Sequence, residues 1–184
     1  LEDLFAQGWD IDLAGHIRRG GAIVGICGGF QMLGGRLADP DGIEGPPGEV
    51  QGLGLLDFET VLAGRKRLEA VRGRELASNM PIQGYEMHVG RTTGAALASP
   101  MLDLDGRPDG AVSEGGRISG CYVHGLFAAD GFRHAFLGRL RPRAASGLVF
   151  ERQIEQTLDA LADHLEASVD ALGLLALARL GCEP

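Results

Sequence analysis

A cysteine enclosed by glycines, Cys27, is the residue of this chain whose setting is best suited to chemistry. An apolar segment, 22–26, leads to it, Gly28 and Gly29 follow directly, and a helical pattern begins there. The N-terminus of a helix carries partial positive charge and unpaired N–H groups, so it stabilises a thiolate and favours nucleophilic attack. The N–H of Gly28 is placed to donate to the oxyanion that forms when Cys27 attacks a carbonyl group. The pattern predicts a nucleophilic thiol at a sharp turn from strand to helix.

Gln31 and the neighbouring glycines support this interpretation of Cys27. Gln31 lies four residues further along, on the same face of the predicted helix, where it could contact the same ligand. Gly25 and Gly28 leave room for a close turn and for an approaching substrate. The alternative is a buried cysteine at the end of a core strand, which is a common place for a free cysteine.

A cysteine nucleophile needs a base, and the chain contains five histidines: His16, His88, His124, His134 and His164. His124 is preferred, because it ends the apolar stretch 118–123 and is followed by Gly125. A histidine at that point lies at the edge of a sheet, where α/β proteins place their ligands. The alternative for His124 is a histidine that is hydrogen-bonded within a loop.

The competitor of His124 is His88, which lies in a polar segment between two glycines, 84–91. Glycines within a strand pattern often mark a place where a ligand approaches the backbone closely. The segment is therefore predicted to line a site rather than to form a core strand. Its polar members are Tyr85, Glu86, His88 and Arg91.

Strands that end at one sheet edge must position Cys27 and His124, and the apolar pattern predicts such strands. A mixture of strands and helices on this scale indicates an α/β domain. The predicted helices cover 3–20, 29–37, 130–140 with Asp130 as N-cap, a stretch from 150 onwards, and 170–180. The predicted strands cover 22–26, 53–62, 66–72, 82–92, 110–114 and 117–123, with Gly115-Gly116 between the last two, and loops cover 38–52 and 95–110.

Composition restricts the class of protein. The 184 residues suffice for one domain with a proper core. The net charge of -8 argues against nucleic acid as a partner, because no basic surplus is available to neutralise phosphates. Three cysteines without a CxxC pair, Cys27, Cys121 and Cys182, indicate neither a disulfide framework nor a zinc site. Without a signal peptide or an apolar stretch of membrane-spanning length, a reduced cytoplasmic location is expected.

Four motifs together resemble the cobyric acid synthase type of class I glutamine amidotransferase. They are the segments 25–34, 52–60, 84–92 and 122–127, and 161–166 is similar to the C-terminal helix of that family. The resemblance spans nearly the whole chain in the right order. It implies a flavodoxin-like α/β domain with a mixed, mostly parallel central sheet, N-terminally truncated, which covers residues 1–184 at the C-terminal end of a longer synthase.

The resemblance also implies an activity. Cys27 would attack the side-chain amide of glutamine, ammonia would leave, and water would hydrolyse the glutamyl thioester. His124 would be the general base, and Gly28, Gly29 and Gln31 would bind the oxyanion or the substrate. The ammonia would pass to a synthetase domain, absent from this chain, for amidation of the b, d, e and g carboxylates of adenosylcobyrinic acid a,c-diamide in cobalamin biosynthesis.

The implied partners follow from that activity. They are glutamine, the synthetase domain of the same enzyme and, through that domain, the corrinoid, with neither nucleic acid nor a membrane among them. ATP and Mg²⁺ would bind to the synthetase domain, and no cofactor or metal is expected within residues 1–184.

The sequence departs from class I amidotransferases in two places. Leu126 lies two residues after His124, where many of them carry glutamate. The cobyric acid synthase type is similar in this respect, and Glu86 is a candidate for orienting the histidine instead. The proline-glycine loop that contributes to the oxyanion hole is missing, so the isolated chain could be inactive. Two alternatives stay open: a sister amidotransferase of the cobyrinic acid a,c-diamide synthase or peptidoglycan-precursor type, and a non-catalytic fragment that binds a synthetase partner.

Overall fold

The computed structural model describes residues 1–64, 66–142 and 147–180, so Cys182 lies outside the described residues. The chain divides into two compact units, Leu1–Ala144 and Ala145–Pro184. The helices of the first unit are α1 (Glu2–Ala6), α2 (Trp9–Arg18), α3 (Gly28–Leu33) and α4 (Asp130–Leu140), with short 3-10 helices at Ala95–Ala98 and Leu126–Ala128. Its strands are β1 (Ile23–Ile26), β2 (Arg36–Asp39), β3 (Gly48–Gln51), β4 (Glu59–Val61), β5 (Arg67–Glu75), β6 (Pro81–His88), β7 (Arg91–Thr93), β8 (Leu102–Leu104), β9 (Arg107–Asp109), β10 (Ala111–Val112), β11 (Ile118–Cys121) and β12 (Val123–His124).

A three-stranded sheet with the order β1-β11-β10 supports the cysteine turn. β1 and β11 are parallel, with Ile26 opposite Cys121, so Cys27 and Tyr122 follow the two strands side by side. β10 and β11 are antiparallel around Gly115-Gly116, which confirms the predicted hairpin. The predicted strand 22–26 is confirmed to within one residue.

The second sheet, with the order β12-β6-β5-β8-β9, places β6 between β12 and β5. β5 and β6 pair along eight positions, from Arg67 opposite His88 to Arg74 opposite Pro81. Buried side chains from this sheet pack against Phe132 of α4 and form one of the two apolar clusters. A third sheet, β3-β2-β4-β7, lies in the same unit.

The mixed α/β class is confirmed, but the expectation of a mostly parallel sheet is corrected. Parallel pairing joins β1 to β11 and β2 to β4, whereas the other described pairs are antiparallel. Several consecutive strands are connected by turns of only a few residues, such as 76–80 and 105–106. A tight turn reverses the chain, so the strands on either side of it must run antiparallel.

Several element boundaries differ from the sequence-based ones. The predicted helix 3–20 is divided at Gly8, whose φ is 77°. The predicted helix 29–37 ends at Leu33, because the backbone of Gly34 is extended, with φ -70° and ψ 176°, and the chain continues into β2. The predicted loops 38–52 and 95–110 contain β3, β8 and β9, and the predicted strand 53–62 is a strand only in β4. Asp130 is not the cap of α4: the cap is Ala129, and Asp130 pairs with Arg133.

The second unit contains α5 (Phe150–Ser168) and α6 (Ala171–Leu180), which confirms the two predicted C-terminal helices. Ile154, Leu158, Leu161 and Leu165 recur every three or four residues and form an exposed apolar stripe along α5. No helix in the described part of the chain is both long enough and apolar enough to cross a bilayer.

Candidate active site

Cys27 lies between the end of β1 and the start of α3 in a backbone conformation that few non-glycine residues adopt. Its φ is 55° and its ψ is -115°, and strain of this kind is often held at functional turns. The N–H of Cys27 donates to the carbonyl of Cys121 over 2.9 Å, and the N–H of Gln31 donates to the carbonyl of Cys27 over 3.1 Å. The turn is therefore fixed from both sides, with the thiol partly buried.

Two kinds of glycine surround this turn. A Cβ atom at Gly25 would lie 2.6 Å from the carbonyl oxygen of Gly29, so only glycine allows α3 to approach β1 this closely. A Cβ atom at Gly28 or Gly29 would meet no described atom within 4 Å. The space beside the first turn of α3 is therefore open, and a ligand can enter there.

His124 ends β12 and pairs with Tyr85 of β6. The two rings are stacked, with 5.0 Å between their centroids and 5° between their planes. The Nε2 atom of His124 is buried, and within residues 1–64, 66–142 and 147–180 it has no hydrogen-bond partner. The imidazole is thus supported at its face, while Nε2 is left unpaired.

β6 is the strand to which both predicted catalytic residues attach. The Sγ of Cys27 donates to the carbonyl oxygen of Met87 over 3.3 Å. Two residues earlier on β6, Tyr85 pairs with His124. Cys27 and His124 are therefore both anchored to one short segment of β6, although they lie far apart in the sequence.

Glu86, between those two positions, lies in a charged cluster and is only 1% exposed. The Nη1 and Nη2 atoms of Arg107 donate to its two oxygens over 3.2 and 2.6 Å. The Nε of Arg67 is 2.9 Å from Oε2 of Glu86 without hydrogen-bond alignment. The contacts described for Glu86 thus go to Arg107, Arg67 and His88, and none of them goes to His124. Sequence reasoning missed both arginines, and the only signal for them is that a buried carboxylate needs cationic partners.

His88 lies two residues after Glu86 and stacks on Tyr122, with 3.8 Å between ring centroids and 18° between planes. Its Nε2 is 4.0 Å from Oε1 of Glu86. Burial lowers the pKa of His88, the Glu86 carboxylate opposes this, and Arg67 and Arg107 lower it further. His88 is therefore favoured as a neutral imidazole within the wall of the site.

Gln31 is buried, and its amide nitrogen serves the scaffold. Nε2 donates to the carbonyl of Val89 over 3.1 Å and to the hydroxyl of Tyr122 over 3.4 Å. That hydroxyl is 2.5 Å from Oγ1 of Thr92, which is 2.7 Å from Oγ1 of Thr60. Burial raises the pKa of Tyr122, and the hydrogen bonds of this network oppose the rise. The substrate contact predicted for Gln31 stays a prediction, to which the structure adds an anchoring role for α3.

A cavity of about 240 Å³ lies next to this network. Its polar lining comes from His88, Thr92, Asp109 and Tyr122. The buried carboxylate of Asp109 accepts a hydrogen bond from the backbone N–H of Tyr122 over 3.1 Å, and burial raises the pKa of Asp109. The cavity has room for a small polar molecule or several waters.

Arg91 is the predicted lining residue that the structure places elsewhere. It lies exposed on β7 in the third sheet, opposite Val61, whereas Tyr85, Glu86 and His88 share β6. As for metals, no group of three His, Cys, Asp or Glu side chains that could hold an ion is found among the residues the structure describes.

Comparison with protein families identifies the family of this chain. The model of the CobB/CobQ-like glutamine amidotransferase domain matches residues 1–132, a range that includes both Cys27 and His124. The chain belongs to the CobB/CobQ-like glutamine amidotransferase family. The predicted family resemblance is thereby confirmed.

Curated relatives of this amidotransferase chain are named cobyric acid synthase. The one from Cereibacter sphaeroides strain ATCC 17023 is 57% identical over 179 residues. Those from Methylorubrum populi and from Bradyrhizobium sp. strain ORS 278 are 58% identical over 181 residues and 56% identical over 180 residues. Each alignment covers 97% of this chain but only 36% or 37% of the relative. The chain therefore spans little more than a third of the length of these relatives.

In this amidotransferase domain, Leu126 takes the place two residues after His124. Its side chain is 1% exposed and packs into the apolar cluster with Val123 and Phe132. A carboxylate in that position would be buried among the apolar side chains of this cluster, which is costly. Leu126, which replaces the glutamate of many class I amidotransferases, is therefore part of the hydrophobic core in this structure.

Proposed function

We propose that this chain is the glutamine-hydrolysing part of a cobyric acid synthase. The observation that carries the proposal is the strained turn that holds Cys27 against β6, the strand on which His124 is also paired. A cysteine nucleophile needs a histidine base within reach, and the attachment of both residues to β6 supports that pairing. The names of the relatives support the assignment to cobyric acid synthesis.

In the proposed reaction, the thiol proton of Cys27 passes to His124, and the thiolate attacks the side-chain amide carbon of glutamine. The oxyanion that forms accepts a hydrogen bond from the N–H of Gly28. His124 gives its proton to the nitrogen as the C–N bond breaks, which releases ammonia and leaves a glutamyl thioester. A water molecule that loses its proton to His124 then attacks the thioester. Glutamate leaves, and the thiol of Cys27 is restored.

Local structure supports the proposed role of the glycines. Gly28 is the first residue of α3, so its N–H has no partner within the helix. The open space beside Gly28 and Gly29 leaves room for the substrate. In the proposal, Gln31 completes this binding surface, and Tyr85, Glu86 and His88 form the neighbouring wall.

The proposal extends to the remainder of the longer enzyme. Ammonia from Cys27 would serve a synthetase domain that holds ATP and Mg²⁺ and amidates the b, d, e and g carboxylates of adenosylcobyrinic acid a,c-diamide. The relatives support this extension, because residues like those of this chain make up only 37% of the Cereibacter sphaeroides cobyric acid synthase.

Cys27→Ser in the full-length polypeptide tests the nucleophile. We expect glutamine-dependent amidation to fall by at least about 10³-fold, because a serine hydroxyl is a far weaker nucleophile than a thiolate. Amidation driven by ammonium chloride should be unchanged, since it bypasses Cys27. Both are followed by mass spectrometry of the corrinoid product. Loss of both activities together, or survival of the glutamine-dependent one, contradicts the proposal.

Substrate choice tests the pathway. With glutamine and ATP, the full-length polypeptide should consume adenosylcobyrinic acid a,c-diamide and add four amide groups to it. Cobyrinic acid without amides serves as the control and should remain unchanged. Consumption of the control instead of the a,c-diamide would assign the chain to the sister amidotransferase that makes the diamide.

A further inference from the structure

No carboxylate orients His124 among the residues that the structure describes. The position two residues after it holds Leu126, buried in the apolar cluster. The carboxylate of Glu86 is engaged by Arg107 and Arg67, and Nε2 of His124 has no hydrogen-bond partner within the described ranges. A general base must nevertheless be held in a narrow range of orientations if it is to exchange a proton with a thiol.

We infer that Tyr85 is the positioning residue of the base, and that it orients the imidazole of His124 by ring stacking in place of a third polar group. The inference rests on the proposed function, because it assigns a role within the same glutaminase site. The rings lie 5.0 Å apart between centroids with only 5° between their planes. An offset parallel arrangement of this kind is a favoured geometry for aromatic pairs.

The backbone holds the two rings together. Tyr85 and His124 are direct partners in the antiparallel pairing of β6 with β12, and cross-strand neighbours interact through their side chains. At Gly84, a Cβ atom would lie 2.0 Å from the carbonyl oxygen of His124. Glycine is therefore required next to Tyr85, and it allows β6 to approach β12 closely enough to seat the stack.

Stacking suits a residue that must carry and release a proton. It uses the face of the imidazole and occupies neither of the two nitrogens at the ring edge. The face of an aromatic ring also attracts a cation, so Tyr85 stabilises the imidazolium that forms when His124 takes the thiol proton. Tyr85 is 42% exposed, so its removal disturbs the stack more than the core.

Two variants of the full-length polypeptide test the role of the Tyr85 ring. Tyr85→Leu removes the aromatic ring but keeps an apolar side chain, whereas Tyr85→Phe keeps the ring and removes only the hydroxyl. We expect Tyr85→Leu to lower kcat for glutamine hydrolysis by about 10- to 100-fold with little change in KM. Tyr85→Phe should stay within about twofold of the parent, because its ring stacks equally well. Ammonia-dependent amidation and the thermal midpoint should be the same for both variants. An equal loss of kcat in the Tyr85→Leu and Tyr85→Phe variants, or no loss of kcat in Tyr85→Leu, overturns the inference.

A double variant shows whether Tyr85 acts through His124. His124→Asn removes the base, and adding Tyr85→Leu to it should lower the residual rate no further. A further loss of the size seen in the single Tyr85→Leu variant overturns the inference. Failure of the proposed function would look different, because then the parent itself would not hydrolyse glutamine and Cys27→Ser would change nothing.

Discussion

At the scale of single residues, the site depends on a cysteine held in an unfavourable backbone conformation. A positive φ costs a non-glycine residue on the order of 1–3 kcal/mol, so the packing of α3 behind Cys27 must offset this cost. Phe30 provides that packing: it is buried and contacts the rings of Phe58 and Tyr122 at 4.7 and 5.2 Å between centroids. Gly25 removes the side chain that would otherwise separate α3 from β1.

Gly25→Ala and Gly28→Ala form a matched pair that tests this account. The Gly25→Ala variant should lose about 1–3 kcal/mol of unfolding free energy, because its methyl group would meet backbone atoms of Gly29. Gly28→Ala should keep or slightly raise stability, since its methyl group enters open space at the start of a helix. The methyl group of the Gly28→Ala variant should also slow the covalent labelling of Cys27 by the glutamine analogue diazo-oxo-norleucine, because it occupies the space left for the substrate. Urea unfolding measures the stability of each variant, and mass spectrometry measures the labelling of Cys27. Equal stability of the two variants would contradict the account.

Asp109 gives a pH-dependent prediction. Burial raises its folded-state pKa, so at pH 7 the folded protein carries a poorly hydrated carboxylate. Asp109→Asn should therefore raise the free energy of unfolding at pH 7, while its amide oxygen still accepts from Tyr122. The gain should shrink as pH falls through the raised pKa and vanish below the ordinary value of about 3.9, where the wild-type group is protonated in both states.

Urea unfolding at pH 7, 5 and 4 measures this gain. Asp41→Asn, at an exposed position, controls for the loss of one negative charge. A gain that is the same at all three pH values, or a loss at pH 7, would show that burial of the Asp109 carboxylate is not the cause.

At the scale of elements, β6 organises the site. The carbonyl of Met87 accepts a hydrogen bond from the thiol of Cys27, and the ring of Tyr85 stacks on His124. Glu86 pairs with arginines from β5 and β9. The strand is itself held by pairing with β5 on one side and β12 on the other. Disturbing β6 should therefore affect both halves of the site together.

Glu86→Gln tests the charge that holds β6 to its neighbours. Removing the carboxylate leaves Arg107 and Arg67 facing each other across a neutral amide, so unfolding free energy should fall by about 1–3 kcal/mol. Glu69→Gln is the control, since Glu69 also pairs with Arg67 but is exposed, and it should cost less than about 0.5 kcal/mol. Urea unfolding measures both losses of unfolding free energy. Equal losses would mean that the buried ion pairs of Glu86 contribute no more than the exposed pair of Glu69.

These elements also show how far the sequence could predict the fold. Local patterns predicted the strand before Cys27 and the hairpin at Gly115-Gly116, because each depends on neighbouring residues alone. The hairpin of β8 and β9 falls in the predicted loop 95–110. Asp105-Gly106 is a turn signal, with positive φ at both residues, but the strands on either side of it are only three residues long. The pairing of Glu86 with Arg107 could not be predicted, because it depends on how distant strands pack.

At the scale of the whole molecule, Cys27, His124 and their supports all lie within the unit Leu1–Ala144. The family match ends at residue 132, so it covers the same region. The unit Ala145–Pro184 contributes α5 and α6 and none of the predicted site residues. The predicted site residues are therefore concentrated in the first unit, and the chain that contains this unit matches only 37% of the Cereibacter sphaeroides relative.

This difference in length predicts a difference in activity between the isolated chain and the full-length polypeptide. The space beside Gly28 and Gly29 is open among the described residues, and in the proposed reaction the oxyanion accepts from a single donor of the described residues, the N–H of Gly28. Loss of a single oxyanion donor commonly costs about 10²- to 10³-fold in rate. The isolated chain should thus hydrolyse glutamine at least about 10²-fold more slowly than the full-length polypeptide, measured as glutamate released per minute. Cys27→Ser in each protein gives the background rate. Equal rates in the two proteins would show that residues 1–184 already form the complete catalytic site.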